Sequence, residues 1–144
     1  MDSAEFESRL RERLAGRWSC ATSVGLPLDV IERELHFIDA PIPENYKTFL
    51  RICGSNAGTL FAGYHWEVAK RKARNTELQL VSQEYGVKLP SGLFAFLDYI
   101  GDYFWCFFLN ESADPEVHMF DLVELTSTDY CFSDFIVGWE QLDE

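Results

Sequence analysis

Apolar residues along the first part of the chain recur at helical spacing. Phe6, Leu10 and Leu14 are four residues apart, so a helix over residues 3–17 carries all three on one face. Pro43 suits the first position of a helix and Gly54 suits a helix end, which predicts a further helix between them. Its predicted buried face holds Tyr46, Phe49, Leu50 and Cys53. Other helices are predicted over residues 27–37 and 65–85, and a short apolar strand over residues 59–62. The first part of the chain is therefore mainly helical.

After Pro90 the period of apolar residues changes to two, which is typical of strands. Two aromatic-rich stretches, residues 93–99 and 103–109, flank the turn residues Ile100-Gly101-Asp102 and predict a hairpin. A third strand is predicted over residues 117–121, after a polar turn. These strands follow one another with short connections, so the sheet is expected to be antiparallel.

The helical period returns near the end of the chain. A closing helix from about Asp129 places four large side chains on one inward face: Phe132, Phe135, Ile136 and Trp139. The pattern predicts an α+β fold in which N-terminal helices and a C-terminal helix cover an antiparallel sheet. The length of 144 residues predicts a single domain over residues 1–144.

The distribution of charge divides the chain at Lys88. Residues 1–88 hold all 12 Lys and Arg together with 12 of the 24 acids, so they sum to zero. Residues 89–144 hold the other 12 acids and no base, so the formal charge of -12 belongs to the predicted sheet and closing helix. Aromatic residues run through the same stretch, which distinguishes it from a disordered acidic tail. An acidic field around an apolar scaffold suits a positively charged partner.

Composition also excludes several partners and compartments. A surplus of negative charge repels phosphates and anionic lipids, so neither a nucleic acid nor a membrane is expected as a partner. The sequence lacks the basic and apolar regions of a secretory signal, and its apolar runs are too short to cross a bilayer. Cys20, Cys53, Cys106 and Cys131 are widely spaced with no CxxC pair. We therefore expect a cytoplasmic protein with free, mostly buried thiols.

The densest basic run lies on the helix predicted over residues 65–85. Its members are Lys70, Arg71, Lys72 and Arg74. Because charged side chains on helices are mostly solvated, we interpret this run as an exposed or internally paired face rather than a binding site. The inward face of the same helix is predicted to hold Trp66, Ala69, Ala73 and Leu80.

Three stretches, in this order, resemble the motifs of one family. They are the helix from Val30 to Leu35 followed by Pro43 to Leu50, the turn Asn56-Ala57-Gly58, and the late segments Leu93 to Phe96, Asp98 to Phe104 and Phe132 to Ile136. Together they resemble the SUKH superfamily, the Smi/Knr type of small α+β domain. That family has a helix followed by Leu-Pro-x-x-Tyr-x-x-Phe-Leu, an Asn-Gly-Gly turn and a final Ser-Phe-x-x-Phe-Leu helix. Here Ile42 replaces the Leu, Ala57 replaces a Gly and Cys131 stands where a capping Ser is common.

The resemblance implies an immunity protein, because many bacterial members of the family protect a cell by binding a toxin. Such toxins are often nucleases or deaminases. Fungal members are regulatory scaffolds, so a protein-interaction domain without a toxin is the alternative. Fold-level analogy does not fix function, and the residues must support it separately.

The sequence contains no strong catalytic motif. His36, His65 and His118 lack the spacing of metal ligands, and no phosphate-binding glycine loop or nucleophile elbow is present. Asp98 and Asp102 are close enough in sequence to form an acid–base pair, but nothing in the chain indicates a cleft for a sugar. We therefore expect no catalytic activity, metal site or cofactor. An uncharacterised enzyme is the third hypothesis, after the immunity protein and the interaction domain.

Acidic and aromatic side chains at the predicted turns are the candidate partner-binding residues. They are Asp98, Tyr99, Asp102 and Tyr103 at the hairpin, Glu111, Asp114 and Glu116 at the next turn, and Asp129 and Asp134 near the closing helix. A toxin nuclease needs a basic groove, and carboxylates occupying it would stand in for phosphate oxygens and exclude the substrate. For any single acid, the competing interpretation is that it only keeps an aromatic sheet soluble.

Overall fold

The elements follow the predicted order of helices first, sheet second and helix last. The computed structural model describes residues 1–16, 23–36, 38–110 and 112–139. The helices of this part are α1 (Ser3–Gly16), α2 (Leu28–Leu35), α3 (Glu44–Cys53), α4 (Arg71–Glu84) and α5 (Phe132–Val137). Its strands are β1 (Leu93–Tyr99), β2 (Tyr103–Phe108), β3 (Glu116–Phe120) and β4 (Leu125–Cys131). The predicted α+β class is confirmed.

The four strands form one antiparallel sheet in the order β1-β2-β3-β4. Tyr99 pairs with Tyr103 where the first hairpin closes. The turn between them has positive φ at Ile100 and Gly101, 45° and 75°, as a type I′ turn requires. The hairpin predicted from the aromatic alternation is therefore confirmed, and its turn places Tyr99 and Tyr103 opposite each other.

Alternation along β2 divides the core between the two faces of the sheet. Phe104 and Cys106 belong to a small cluster with Leu78 of α4. Phe107, on the other face, belongs to the main core with Phe6 of α1 and side chains of α3 and α5. The sheet is thus covered on one face by α4 and on the other by the remaining helices that surround the main core.

Helix α4 is attached to the edge of β1 by polar side chains. Asn75 accepts a hydrogen bond from the Ala95 amide at 2.8 Å and donates one to the Ala95 carbonyl at 3.1 Å. Arg74 Nε donates to the same carbonyl at 2.9 Å, and its two terminal nitrogens donate to the Glu67 carbonyl at 3.3 Å. These bonds satisfy backbone groups that an edge strand otherwise leaves open.

Several predicted inward stripes are confirmed. Those of α1, α3 and the closing helix are buried: Phe6, Leu10, Leu14, Tyr46, Phe49, Leu50, Cys53, Phe132, Phe135, Ile136 and Trp139. The prediction for the helix over residues 65–85 is wrong in two respects. A short 3-10 helix, Val68–Lys70, precedes α4, which begins only at Arg71. Leu80 is exposed and Arg74 is buried, so the inward face lies elsewhere on the helix.

Two further predictions are wrong. Residues 59–62 form turns rather than a strand, and Phe61 has a φ of 62°, outside the range of strands. Strand β4 was missed, since the closing helix was expected from about Asp129 and α5 begins at Phe132. Residues 125–131 carry few apolar side chains, so the alternation that marks a buried strand is weak there.

Candidate functional site: an aromatic cleft

A cleft of about 450 Å³ opens where the hairpin turn, the sheet and α5 meet. We call it the aromatic cleft. It is lined by Tyr64, Tyr99, Tyr103, Trp105, Met119, Thr128, Tyr130, Phe135 and Trp139. Seven of these nine residues are aromatic, and none carries a formal charge.

Strand pairing explains how the sheet contributes to the aromatic cleft. Tyr99 and Tyr103 face each other across the hairpin, and Trp105 pairs with Met119 across β2 and β3. Strand β4 adds Thr128 and Tyr130, which flank Asp129, a residue with a φ of 63° in an irregular stretch of the β3–β4 pairing. Pairing of the strands and this irregularity in β4 together bring residues from distant parts of the sequence to one surface.

Ring contacts hold the walls of the aromatic cleft together. The Tyr64 ring centroid lies 4.9 Å from that of Tyr99, 5.1 Å from that of Trp139 and 5.7 Å from that of Trp105. Trp105 and Trp139 are 5.6 Å apart and nearly perpendicular. Edge-to-face packing of this kind stabilises the arrangement beyond the area it buries.

The rim of the aromatic cleft is exposed, unlike its base. Tyr99, Tyr103 and Tyr130 are 39%, 43% and 42% exposed, whereas Phe135 and Trp139 are buried. Tyrosine presents a large apolar face with a polar tip, a combination enriched at protein interfaces. The geometry is that of a pre-formed recessed contact surface with amphipathic edges.

The acidic stretch of the chain builds almost all of this site. Eight of the nine lining residues follow Lys88, and only Tyr64 precedes it. Asp102 and Asp129 are exposed and adjoin lining residues in sequence, Tyr103 in one case and Thr128 and Tyr130 in the other. The walls of the aromatic cleft are therefore neutral, and exposed acids adjoin its lining residues in sequence.

The candidate residues from the sequence fall into three groups. Tyr99 and Tyr103 line the aromatic cleft, and Asp102 and Asp129 are exposed next to it in sequence. Glu116 and Asp134 are exposed but do not line it, and Glu116 Oε1 lies 3.3 Å from His118 Nε2. Glu111 lies outside the described residues.

Asp98 requires a correction, since it was expected to be exposed at the hairpin turn and is 3% exposed. Its Oδ2 accepts a hydrogen bond from the Gly101 amide at 3.3 Å and lies 3.2 Å from His65 Nδ1. Its backbone pairs with that of His65 in both directions at 2.9 Å. Asp98 therefore stabilises the turn from within, and its neighbours Tyr99 and Asp102 form the exposed surface.

Asp114 is also engaged within the fold rather than free at a turn. Its Oδ2 lies 2.8 Å from the Met1 terminal ammonium and accepts a 2.6 Å hydrogen bond from the Ser133 hydroxyl. Its Oδ1 accepts a bond from the Ser133 amide at 2.9 Å, in the first turn of α5. An acid at this position satisfies an open amide and complements the helix dipole.

We predict that Asp114→Asn destabilises the protein by about 1–2 kcal/mol at neutral pH and flattens its acid response. Burial raises the pKa of Asp114, but hydrogen bonds from Met1 and Ser133 outweigh burial and hold the pKa below its usual value. The stabilisation is therefore present above the ordinary pKa of Asp and is lost as pH falls through the depressed value.

Urea unfolding at pH 7 and at acidic pH measures this effect. The gap between the wild type and Asp114→Asn should narrow on acidification, and the exposed Asp29 provides a matched Asp29→Asn control with little change at either pH. A gap that keeps its size in acid would contradict the assigned ionic role.

The basic run and the cysteines differ in their burial and contacts. Arg71 forms a 2.6 Å ion pair with Glu34 of α2, and Arg74 is buried and donates to the carbonyls of Ala95 and Glu67. These two members of the run are internally paired, which is one of the two alternatives that the sequence left open. Burial raises the pKa of the Cys53 and Cys106 thiols, which leaves them protonated, while Cys131 is exposed and Cys20 lies outside the described residues. Within the described ranges no cluster of metal-ligating side chains occurs.

Sequence reasoning missed most of the cleft lining. Phe135 and Trp139 are predicted on the inward face of the closing helix and are buried, but that period does not show that they line a cleft. Trp105 lies in a predicted strand and is only partly buried. Thr128 and Tyr130 were missed with β4, although Thr and Tyr at alternate positions are typical of a strand. Tyr64 reaches the site from a turn that no period in the sequence marks.

Comparisons with known proteins show to which family the chain is similar. The model of the SMI1 / KNR4 family (SUKH-1) matches residues 28–137, about three quarters of the chain. Comparison with curated proteins returns no match, and comparison with solved structures returns none. No helix in the described ranges has the length and apolar character needed to span a membrane. The matched segment includes α2 through α5 and hence the whole sheet, and the chain belongs to the SMI1 / KNR4 family (SUKH-1).

Proposed function

We propose that this protein is an immunity protein, which binds a cognate basic toxin domain of the nuclease or deaminase type and neutralises it by occlusion. One observation carries the proposal: a recessed aromatic surface is built almost entirely from the part of the chain that holds 12 acids and no base. Membership of the SMI1 / KNR4 family supports it, since the sequence resemblance already implied an immunity role.

In this proposal the exposed tyrosines anchor the partner. Tyr99, Tyr103 and Tyr130 offer wide faces that lose little conformational entropy on binding, because a tyrosine has only two side-chain torsions. Interface energy is commonly concentrated in a few aromatic residues at a desolvated centre. The aromatic cleft would provide that centre.

The exposed acids act mainly on encounter and specificity. Asp102, Asp129, Glu116 and Asp134 are exposed, and they would face the basic groove with which a toxin holds a phosphate-bearing substrate. Substrate is excluded because the groove is occupied, and no bond is made or broken. Glu111 stays a prediction of the same kind, and Asp98 and Asp114 make their contacts within the fold.

Co-expression with the toxin domain encoded by the neighbouring gene tests the function. We expect the wild-type chain to restore growth of a host that expresses the toxin. Purified proteins should also associate more slowly as ionic strength rises, because charge-steered encounter is screened by salt. A host that dies despite soluble expression of both proteins would contradict the immunity function and favour a scaffold domain. An on-rate independent of salt would contradict the electrostatic role of the acids.

A further inference from the structure

The chemistry of the aromatic cleft narrows the type of group that it can bind. Its walls are aromatic rings with tyrosine hydroxyls at the rim, together with Met119 and Thr128, and it contains no carboxylate and no base. Aromatic faces carry negative potential and attract cations within about 6 Å of the ring centre. A cation is therefore favoured by the walls, and an anion is not.

The surroundings favour the same sign of charge. Asp102 and Asp129 are exposed and adjoin lining residues in sequence, and no Lys or Arg occurs anywhere between residues 89 and 144. A positive group that approaches the rim is attracted by these acids before it reaches the rings. The cleft therefore suits a side chain that carries a positive charge at the end of a long apolar chain.

Guanidinium suits these walls better than ammonium. With no carboxylate lining the aromatic cleft, a lysine ammonium would lose its strong hydration without an ionic partner inside. Guanidinium is planar, more weakly hydrated and stacks on aromatic faces, while its outer N–H groups remain free to reach tyrosine hydroxyls or rim acids. A volume of about 450 Å³, against ~30 Å³ for one water, admits a long side chain with its flanking atoms.

We infer that the aromatic cleft binds an arginine side chain of the partner, held between the rings of Tyr99, Tyr103, Trp105 and Trp139. The inference rests on the proposed function for the source of the arginine, a basic toxin domain. This contact would orient the chain on the toxin domain. The stem of the arginine packs on the rings, and its charge lies under the field of the neighbouring acids.

Blocked peptides test this contact directly on the full chain. The probes are acetyl-Gly-Xaa-Gly-amide with arginine, citrulline, lysine or leucine at the centre. Citrulline keeps the shape and hydrogen-bonding groups of arginine but is neutral. Binding is followed through the indole N–H NMR signals of Trp105 and Trp139, with Trp66, which does not line the cleft, as the internal reference.

We expect the arginine peptide to bind about tenfold more tightly than the citrulline peptide, the range of a cation–π contact. The Tyr99→Leu and Tyr103→Leu variants keep apolar bulk and should remove most of this difference. Tyr85→Leu, at an exposed tyrosine outside the cleft, should retain it. Lysine should bind more weakly than arginine.

Equal binding of arginine and citrulline, tighter binding of leucine or lysine, or no saturable shift with arginine would overturn the inference. Each of these results leaves growth rescue by the wild type unaffected, so the proposed function would survive them. Failure of rescue by a chain that still selects arginine over citrulline would overturn the immunity function alone.

Discussion

Replacement of Phe132 by alanine is expected to lower the free energy of unfolding by about 3–5 kcal/mol. Phe132 is fully buried at the start of α5. Its ring centroid lies 5.2 Å from that of Phe96, 5.8 Å from those of Tyr46 and Phe107, 6.0 Å from that of Phe6 and 6.1 Å from that of Phe49. The alanine variant leaves a cavity where α1, α3, α5 and the sheet meet.

Urea denaturation of Phe132→Ala measures the loss, and Phe132→Leu should lose less because it fills most of the space. Phe108→Ala is the matched control, since Phe108 is only half-buried and its ring contacts that of His118 outside the main core. A loss in Phe132→Ala no greater than that in Phe108→Ala would contradict the central position assigned to Phe132.

Replacement of Arg74 by methionine is expected to cost about 3 kcal/mol of stability. Arg74 is 3% exposed, and burial lowers the pKa of Arg74 while the charge of Asp98 partly opposes this effect. Methionine keeps the length of the side chain but removes the donors to the carbonyls of Ala95 and Glu67. It also leaves the buried Asp98 without a favourable positive charge.

The neighbouring Lys72→Met variant provides the control, because Lys72 is exposed on the same helix. Its unfolding free energy should change by less than about 0.5 kcal/mol, as is usual for surface positions. Thermal and urea unfolding of the two variants should therefore separate clearly. Equal stability of Arg74→Met and Lys72→Met would show that the Arg74 contacts contribute nothing net.

Elements with a strong hydrophobic period were predictable from the sequence. The stripes of α1, α3 and α5 and the β1–β2 hairpin follow from local spacing alone, because burial of one face imposes a period of 3.6 or 2. Strand β4 was not predictable in this way. Its side chains are mainly exposed, so it is fixed by pairing with β3 rather than by its own apolar pattern.

The candidate site was predictable only in part, for a related reason. Tyr99 and Tyr103 are brought together by a local turn, which the sequence indicates. Tyr64 and Tyr130 reach the same cleft through contacts between residues that are far apart in the sequence. Local spacing of residue types does not predict such contacts. For the basic run the sequence leaves exposure and internal pairing as alternatives, and only the position of α4 against β1 shows that Arg74 is buried and paired.

The dissociation constant of the complex with the toxin domain encoded by the neighbouring gene shows whether the aromatic cleft is the toxin-binding site. The decisive comparison is between the Tyr99→Ser/Tyr103→Ser double variant and the Tyr85→Ser control. We expect the double variant to bind about 10- to 100-fold more weakly, because aromatic anchors at the centre of an interface are lost. Tyr85→Ser should bind like the wild type. A double variant that folds and binds with wild-type affinity would contradict the aromatic cleft as the toxin-binding site.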